Sequence, residues 1–264
     1  MNYGFVGLGN MAGAILSGMG LSGGFSEDKI FGFNRSEGKT LALQEKMGLI
    51  PCKDAAEAVK NADVVVLGVK PQMLEDVLKN ISPLIDKSKT VISIAAGKST
   101  AWYEERLREG VAVVRVMPNI NAKVLAAVTA VCPGKNAGEK EIAVAEKIFA
   151  TIGSTYIIEE KMFPAFSAIG GASGAFIYLY IDALADAGVQ AGLARPFAVK
   201  LATDTVLGSA KLVKETGEHP IALANQVCSP GGTTIEGVLT LKRLGFETAV
   251  QQAVAAIIEK DSKL

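Results

Sequence analysis

The sequence predicts an α/β fold in which an N-terminal doubly wound sheet over residues 1–160 is followed by an all-helical domain over residues 161–264. Three observations carry this expectation. Short apolar runs alternate with helical patterns through the first part of the chain. Runs such as Ala62 to Val69 are continuous in Val and Leu, as in strands of a parallel sheet buried on both faces. Strand patterns then stop after Glu159-Glu160, and only helical segments follow.

The first strand, Tyr3 to Val6, runs directly into Gly7-Leu8-Gly9-Asn10-Met11-Ala12, a G-x-G-x-x-A pattern opening a helix with Ile15, Leu16 and Met19 on one face. The first glycine makes the turn, the second lets the backbone approach a pyrophosphate, and Ala12 permits close helix–strand packing. Strand, glycine loop and helix in that order mark a Rossmann dinucleotide-binding domain. The second strand, Lys29 to Phe33, ends in Asn34-Arg35-Ser36. An NAD-binding tip usually carries a carboxylate for the ribose 2′-OH, whereas a guanidinium and small polar groups suit a 2′-phosphate. NADPH is therefore the expected cofactor, and Glu37 keeps NADH open.

The third strand, Ala62 to Val69, ends in Lys70-Pro71, the fourth, Thr90 to Ala95, in Ala96-Gly97, and the fifth, Val111 to Val116, in Met117-Pro118-Asn119. These carboxyl ends form the crevice in which ligands of such sheets lie. Strand six (Ala127 to Cys132), a helix (Glu139 to Ile152) and strand seven (Thr155 to Ile158) complete the domain. Helices are expected over 161–170, 174–190, 196–215, 220–226 and 233–260, the last broken near Gly245. The segment Phe176 to Gly188 is apolar around most of its circumference, and a domain of this size has few helices to cover it. A second copy is expected to do so, making the helical part a dimerisation domain.

Within that domain, Cys228-Ser229-Pro230-Gly231-Gly232-Thr233-Thr234 is the expected centre of the chemistry. A glycine turn feeding a helix N-terminus points backbone N–H groups at one spot, where an anion fits. Thr233 and Glu236 read as a capping box for the helix through Ile235, Val238, Leu239 and Leu241.

Bulk properties narrow the partners. Lys+Arg and Asp+Glu are both 27, so there is no basic field to collect nucleic acid. Cys52, Cys132 and Cys228 lie far apart and outside any metal-binding spacing, as reduced cytosolic thiols do, and no metal is expected. The single histidine, His219, precedes Pro220 and reads as the end of a helix in preference to a general base. No signal peptide is legible at the N-terminus, and the apolar run Ala172 to Ile181, stopped by Asp182, reads as too short to span a bilayer. A cytoplasmic protein without membrane or nucleic-acid partners is expected.

The stretches Val6 to Ala12, Val69-Lys70-Pro71, Ala95-Ala96-Gly97, Met117-Pro118-Asn119, Asp182 to Val189 and Ser229 to Thr234 together resemble pyrroline-5-carboxylate reductases across essentially the whole chain. The resemblance implies reduction of Δ1-pyrroline-5-carboxylate to L-proline by hydride transfer from NAD(P)H, the last step of proline biosynthesis. It also implies a homodimer, with rings of dimers as a larger assembly. Carried over by position, it implies that Gly7, Leu8, Gly9, Asn10 and Met11 cover the pyrophosphate and that Asn34 and Arg35 hold the 2′-phosphate. Gly68, Val69, Lys70 and Pro71, with Ile94, Ala95, Ala96 and Gly97, line the cofactor, Asn119 sits near the nicotinamide ribose, and Gln226 reaches toward the cofactor. Ser229, Gly232, Thr233 and Thr234 grip the substrate carboxylate, the Val227 carbonyl meets the ring nitrogen, and Ser229 and Thr234 are the candidate catalytic residues. Glu160 is a further candidate, favouring a cationic substrate, although an exposed surface carboxylate is the plainer reading. The chain departs from the family where Ile120-Asn121 replaces its usual Thr-Pro and where Gly170 to Gly174 replaces its Ser-Gly-x-x-Pro turn.

Two rivals are weighed on the residues. A β-hydroxyacid dehydrogenase needs a base, which that family places as a Lys on the long interdomain helix, and no Lys occurs between Lys161 and Lys200. A non-catalytic NADP-binding regulator would keep Gly7 to Ala12 but has no use for the Ser229 to Thr234 anion site.

Overall fold

The computed structural model describes residues 1–261, which form two compact units, one ending at Gly171 and the other beginning at Ala172. In chain order the first unit contains β1 (Asn2–Val6), α1 (Asn10–Ser22), β2 (Lys29–Phe33), α2 (Glu37–Met47), β3 (Ile50–Pro51), α3 (Ala55–Lys60), β4 (Val64–Leu67), α4 (Leu74–Ile81), β5 (Thr90–Ser93), α5 (Thr100–Glu104), β6 (Ala112–Pro118), β7 (Ala127–Pro133), α6 (Glu139–Phe149), β8 (Gly153–Ile157) and α7 (Phe163–Phe166). The second contains α8 (Gly174–Gln190), α9 (Arg195–Thr216), α10 (Pro220–Gln226), α11 (Thr233–Arg243) and α12 (Phe246–Asp261).

The eight strands make one sheet in the order β3-β2-β1-β4-β5-β6-β7-β8. Strand alternation sorts its apolar residues onto two faces. Tyr3, Phe5, Val64 and Val66 join Ile15, Leu16 and Met19 of α1 and Ile148 and Phe149 of α6 in one buried cluster. Val6, Val65 and Leu67 join Val59 of α3, Leu74 and Leu78 of α4 and Tyr103 of α5 in the other. Helices therefore cover both faces, the doubly wound plan that continuous Val/Leu runs require.

Three details differ from expectation. β7 pairs antiparallel with β6, because only a 3-10 turn (Ile120–Val124) joins them and a parallel partner needs a longer crossover. β3 has only two residues, one of them Pro51, and gave no strand pattern. Residues 161–170 are not one α-helix: a 3-10 turn, the short α7 and a π-helical stretch (Ser167–Ala172) follow one another. These pieces continue into α8, so the helical run Glu160–Gln190 is, among the described residues, long and apolar enough to cross a membrane by length and composition. That corrects the estimate from Ala172 to Ile181 alone.

Thr129, at the centre of β7, is fully buried, and its hydroxyl is the one buried side-chain polar atom without a hydrogen-bond partner among the described residues. A buried hydroxyl that leaves water without a new partner is a net cost. Thr129→Val keeps the shape and removes that cost, so it is expected to stabilise the fold by about 1 kcal/mol. The check is thermal unfolding, where the melting temperature should rise by about 2–4 °C.

The second unit is built differently. Its best-packed pair, α8 and α9, meets through small residues: Ala185, Ala198 and Ala202 are buried, and a Cβ on Gly188 would stand 3.2 Å from that of Ala198. The large side chains face outward, with Tyr178 58% and Leu179 70% exposed on α8 and Leu207 66% exposed on α9.

Candidate active site

The carboxyl ends of β1, β2 and β4 lie side by side and open a cleft of about 300 Å³ lined by Gly7, Gly9, Asn34, Arg35, Gly68 and Lys70, among others. Gly7 has φ +94°, and a Cβ there would collide with Gly68 and Val69, while a Cβ on Gly68 would stand 2.6 Å from the Gly7 carbonyl. The first glycine loop and the end of β4 thus touch backbone to backbone, and only glycines permit it. Gly9 is the N-cap of α1 and offers no side chain to its first turn, which also lacks acidic residues. The N–H groups of Asn10 and Met11, which no preceding carbonyl of the helix serves, are left for an anion.

Leu8 and Asn34 are hydrogen-bonded to each other. Leu8 is buried, and its N–H donates to the Asn34 side-chain oxygen at 3.0 Å. The Asn34 amide donates to the Ser36 carbonyl at 3.2 Å. Asn34 therefore braces the glycine loop against the end of β2, with the N–H of Leu8 engaged in that brace. Arg35 is exposed and has no ion pair among the described residues. It stands beside Ser36, the N-cap of α2, whose side chain makes no cap hydrogen bond. Arg35, Lys39 and Lys70 line the cleft, so the residues present fit a dinucleotide carrying an additional phosphate, although Glu37 lines the adjoining cavity that shares Asn34 and Arg35. Lys39, on the first turns of α2, was missed by sequence reasoning; its spacing of four from Arg35 was the available signal.

Farther along the sheet, the loop after β5 carries Ile94, Ala95, Ala96 and Gly97, with Ala96 and Gly97 exposed. Its start is held by Ser93, whose hydroxyl is paired with the Tyr103 hydroxyl at 2.6 Å and accepts from Ala95 N–H. Asn119, expected at the ribose, is largely occupied. Its amide donates to the Gly170 carbonyl at 2.7 Å, and its oxygen accepts from the N–H groups of Asn121 and Val128. A proline at 121 could not make the second of these bonds, so the departure at Ile120-Asn121 supports the turn that replaces it.

Glu160 is neither free nor a plain surface carboxylate. It accepts from the Thr100 N–H at 2.9 Å, from the Thr100 hydroxyl at 2.6 Å and from Arg115 at 2.9 Å. The Arg115 guanidinium also lies over the Phe163 ring. Burial raises the Glu160 pKa, but the bonds from Thr100 and Arg115 outweigh it, and the net shift is downward. The group is charged at neutral pH, and its stabilising contribution disappears only as pH falls through that lowered value. Cys132, nearby, has its thiol pushed up to about 11, chiefly by burial, which makes it a poor nucleophile.

In the second unit, the turn after α10 presents Val227, Ser229, Thr233 and Thr234 to solvent. Gly231 has φ +67°, and a Cβ on Gly232 would stand 2.4 Å from the Ser229 hydroxyl. The two glycines bend the chain and seat Ser229 against the start of α11. The N-cap is Gly232, not Thr233, and no capping box forms; Thr233 and Thr234 are the first two helical residues. A glycine cap satisfies none of the first-turn donors, which leaves them to an incoming anion. His219 begins a helix and does not end one: its Nδ1 accepts from Ile221 N–H as the cap of α10. Gln226 donates to Glu218 at 2.7 Å. Among the described residues no His, Cys, Asp and Glu cluster could hold a metal ion.

Comparison with known proteins identifies the family. Residues 160–264 match the family model for pyrroline-5-carboxylate reductase dimerisation, and residues 2–97 match that for NADP oxidoreductase, coenzyme F420-dependent. The pyrroline-5-carboxylate reductase of Methanosarcina acetivorans is 40% identical over 261 residues, covering 99% of this chain and 97% of that one. That of Escherichia coli is 39% identical over 261 residues, with the same coverage of both chains. Among solved structures, the Coxiella burnetii pyrroline-5-carboxylate reductase superposes with a TM-score of 0.94 at 31% identity, covering 99% of this chain and 97% of that chain. The Plasmodium falciparum pyrroline carboxylate reductase with NADP bound gives 0.84 at 31% identity, covering 99% and 97%. With such identity sustained from end to end, the chain belongs to the pyrroline-5-carboxylate reductase family.

Proposed function

We infer that the protein reduces Δ1-pyrroline-5-carboxylate to L-proline, the last step of proline biosynthesis, using NAD(P)H and preferring NADPH. The observation that carries this reading is family membership over the whole chain, and the two anion-accepting features just described give it a chemistry. When bound, the nicotinamide supplies the hydride, which goes to the C=N carbon of the substrate. Asn10 and Met11 N–H groups would hold the pyrophosphate, Arg35 and the start of α2 the 2′-phosphate, and the ends of β4 and β5 would wall the cofactor. Ser229, Thr234 and the first N–H groups of α11 hold the substrate carboxylate.

Little acid–base chemistry is asked of the side chains, because the substrate nitrogen enters protonated as an iminium that already accepts hydride. The protein supplies position, which can lower such a barrier by several kcal/mol, roughly 7 or more at best. The absence of a Lys from α8 speaks against the alcohol-oxidising rival, which would need that base. Mixing the protein with NADPH and pyrroline-5-carboxylate while following NADPH absorbance tests the reading. Steady consumption with proline formed is expected, and none would overturn it.

We further read the exposed apolar faces of α8 and α9 as covered by a second copy in a homodimer. Lipid is the poorer cover, since Asp182 and Asp186 are both exposed on α8 and a carboxylate in a membrane is costly. The zero net charge gives no field for nucleic acid, and a cytoplasmic location suits both chemistry and thiols. Sedimentation in detergent-free buffer should give twice the chain mass or, for rings of dimers, an even multiple; a monomer at micromolar concentration would refute the dimer.

A further inference from the structure

The ion-paired Glu160 does not line the cleft at the ends of β1, β2 and β4, yet its bonds converge on one of the proposed cofactor walls. The loop from Ile94 to Ser99 leaves β5 and enters α5 at Thr100. Its first end is fixed by the buried pair of Ser93 and Tyr103. Its second end is fixed by Glu160, which accepts both the N–H and the hydroxyl of Thr100. Glu160 is itself held by Arg115, which stands in register with Ser93 on the neighbouring strand, so both ends of the loop are referred to the same pair of strands. Between the two fixings Gly97 takes φ +75°, Ala96 and Gly97 are exposed, and a Cβ on Gly97 would meet nothing within 4 Å. A loop of this kind has little intrinsic rigidity, and its shape depends on what holds its ends.

We propose that Glu160 is a positioning residue for cofactor binding, which sets the Ile94 to Gly97 wall through Thr100 and touches neither substrate nor cofactor. The proposal rests on the reading above that this loop lines the cofactor cleft. It differs from an electrostatic role toward the iminium, since the carboxylate is neutralised by Arg115 and its oxygens are taken.

The test compares Glu160→Ala, Glu160→Gln, Thr100→Val and Ala96→Trp, with NADPH affinity measured by calorimetry, steady-state constants for both substrates, and melting temperature. Gln keeps an oxygen for Thr100 N–H and Arg115 and turns an amide toward the Thr100 hydroxyl, which can accept as well as donate. Glu160→Ala is expected to weaken NADPH binding about tenfold or more, and Glu160→Gln to restore it to within about threefold of wild type. Thr100→Val should weaken it too, and the double variant with Glu160→Ala should add little, as for two ends of one contact. A lowered melting temperature with unchanged NADPH affinity in Glu160→Ala would reduce the residue to a structural brace and overturn the proposal. A kcat lost equally in the Ala and Gln variants, with NADPH affinity intact, would overturn it in favour of direct electrostatics. Ala96→Trp separates the proposal from its premise. If the bulky side chain leaves NADPH binding untouched, the loop is no cofactor wall and the premise fails. If it abolishes binding while Glu160→Ala does not alter it, the premise stands and the proposal alone fails.

Discussion

Arg35→Ala is expected to raise the Kd for NADPH by roughly 10- to 100-fold while changing that for NADH by less than about threefold. Arg35 is the exposed cation beside an N-cap whose own hydroxyl makes no cap bond, and it lines the cleft with Lys39 and Lys70. A hydrogen bond to a charged group contributes about 1.5–3 kcal/mol, and the 2′-phosphate is the only part of the dinucleotide that distinguishes the two cofactors. Lys39, which lines the same cleft, limits the loss by keeping some positive charge in place. Calorimetric titration with each cofactor reads the ratio directly. Equal weakening for both would mean that Arg35 serves the pyrophosphate or the fold, and the 2′-phosphate assignment would fall.

Local elements were legible in the sequence, and long-range side-chain bonds were not. The strand Lys29 to Phe33 and the helix Gly174 to Gln190 were legible to the residue, because apolar periodicity and local turn chemistry decide such elements. The glycine loop after β1 was legible for the same reason: its function is written in consecutive positions. Asn34, by contrast, is committed to Leu8, 26 residues earlier, Asn119 to Gly170, 51 residues later, and Glu160 to Thr100, 60 residues earlier. No local pattern reports a side-chain bond of that span. The antiparallel β7 escaped for a related reason, since strand direction is set by the length of a connection whose 3-10 turn has no periodic signal. The missing capping box is a subtler case. Thr233-x-x-Glu236 has the right spacing, but the helix begins at Thr233 itself with extended Gly232 as its cap, because Gly231 at positive φ and the Ser229–Gly232 contact turn the chain early.

That one-residue shift determines what Thr234→Ala should do. With Gly232 as the cap, Thr234 is the second helical residue, its hydroxyl is not needed to close the helix, and it is exposed. Removing it should therefore leave the melting temperature nearly unchanged, which a capping threonine would not allow. The loss should appear in handling of the substrate carboxylate: kcat/KM for pyrroline-5-carboxylate is expected to fall roughly 10- to 100-fold, as for a deleted hydrogen bond to a charged group. NADPH affinity should be untouched, because the residues assigned to the cofactor's phosphates belong to the first unit. Gly232→Ala offers a geometric control on the same turn, since its Cβ must displace the Ser229 hydroxyl and so should weaken the substrate in the same way without removing any polar group. If Thr234→Ala instead weakened NADPH binding, this turn would be a cofactor contact. If both variants left kcat/KM unchanged, the carboxylate would have to be held elsewhere, and the two glycines would be there only to make the bend.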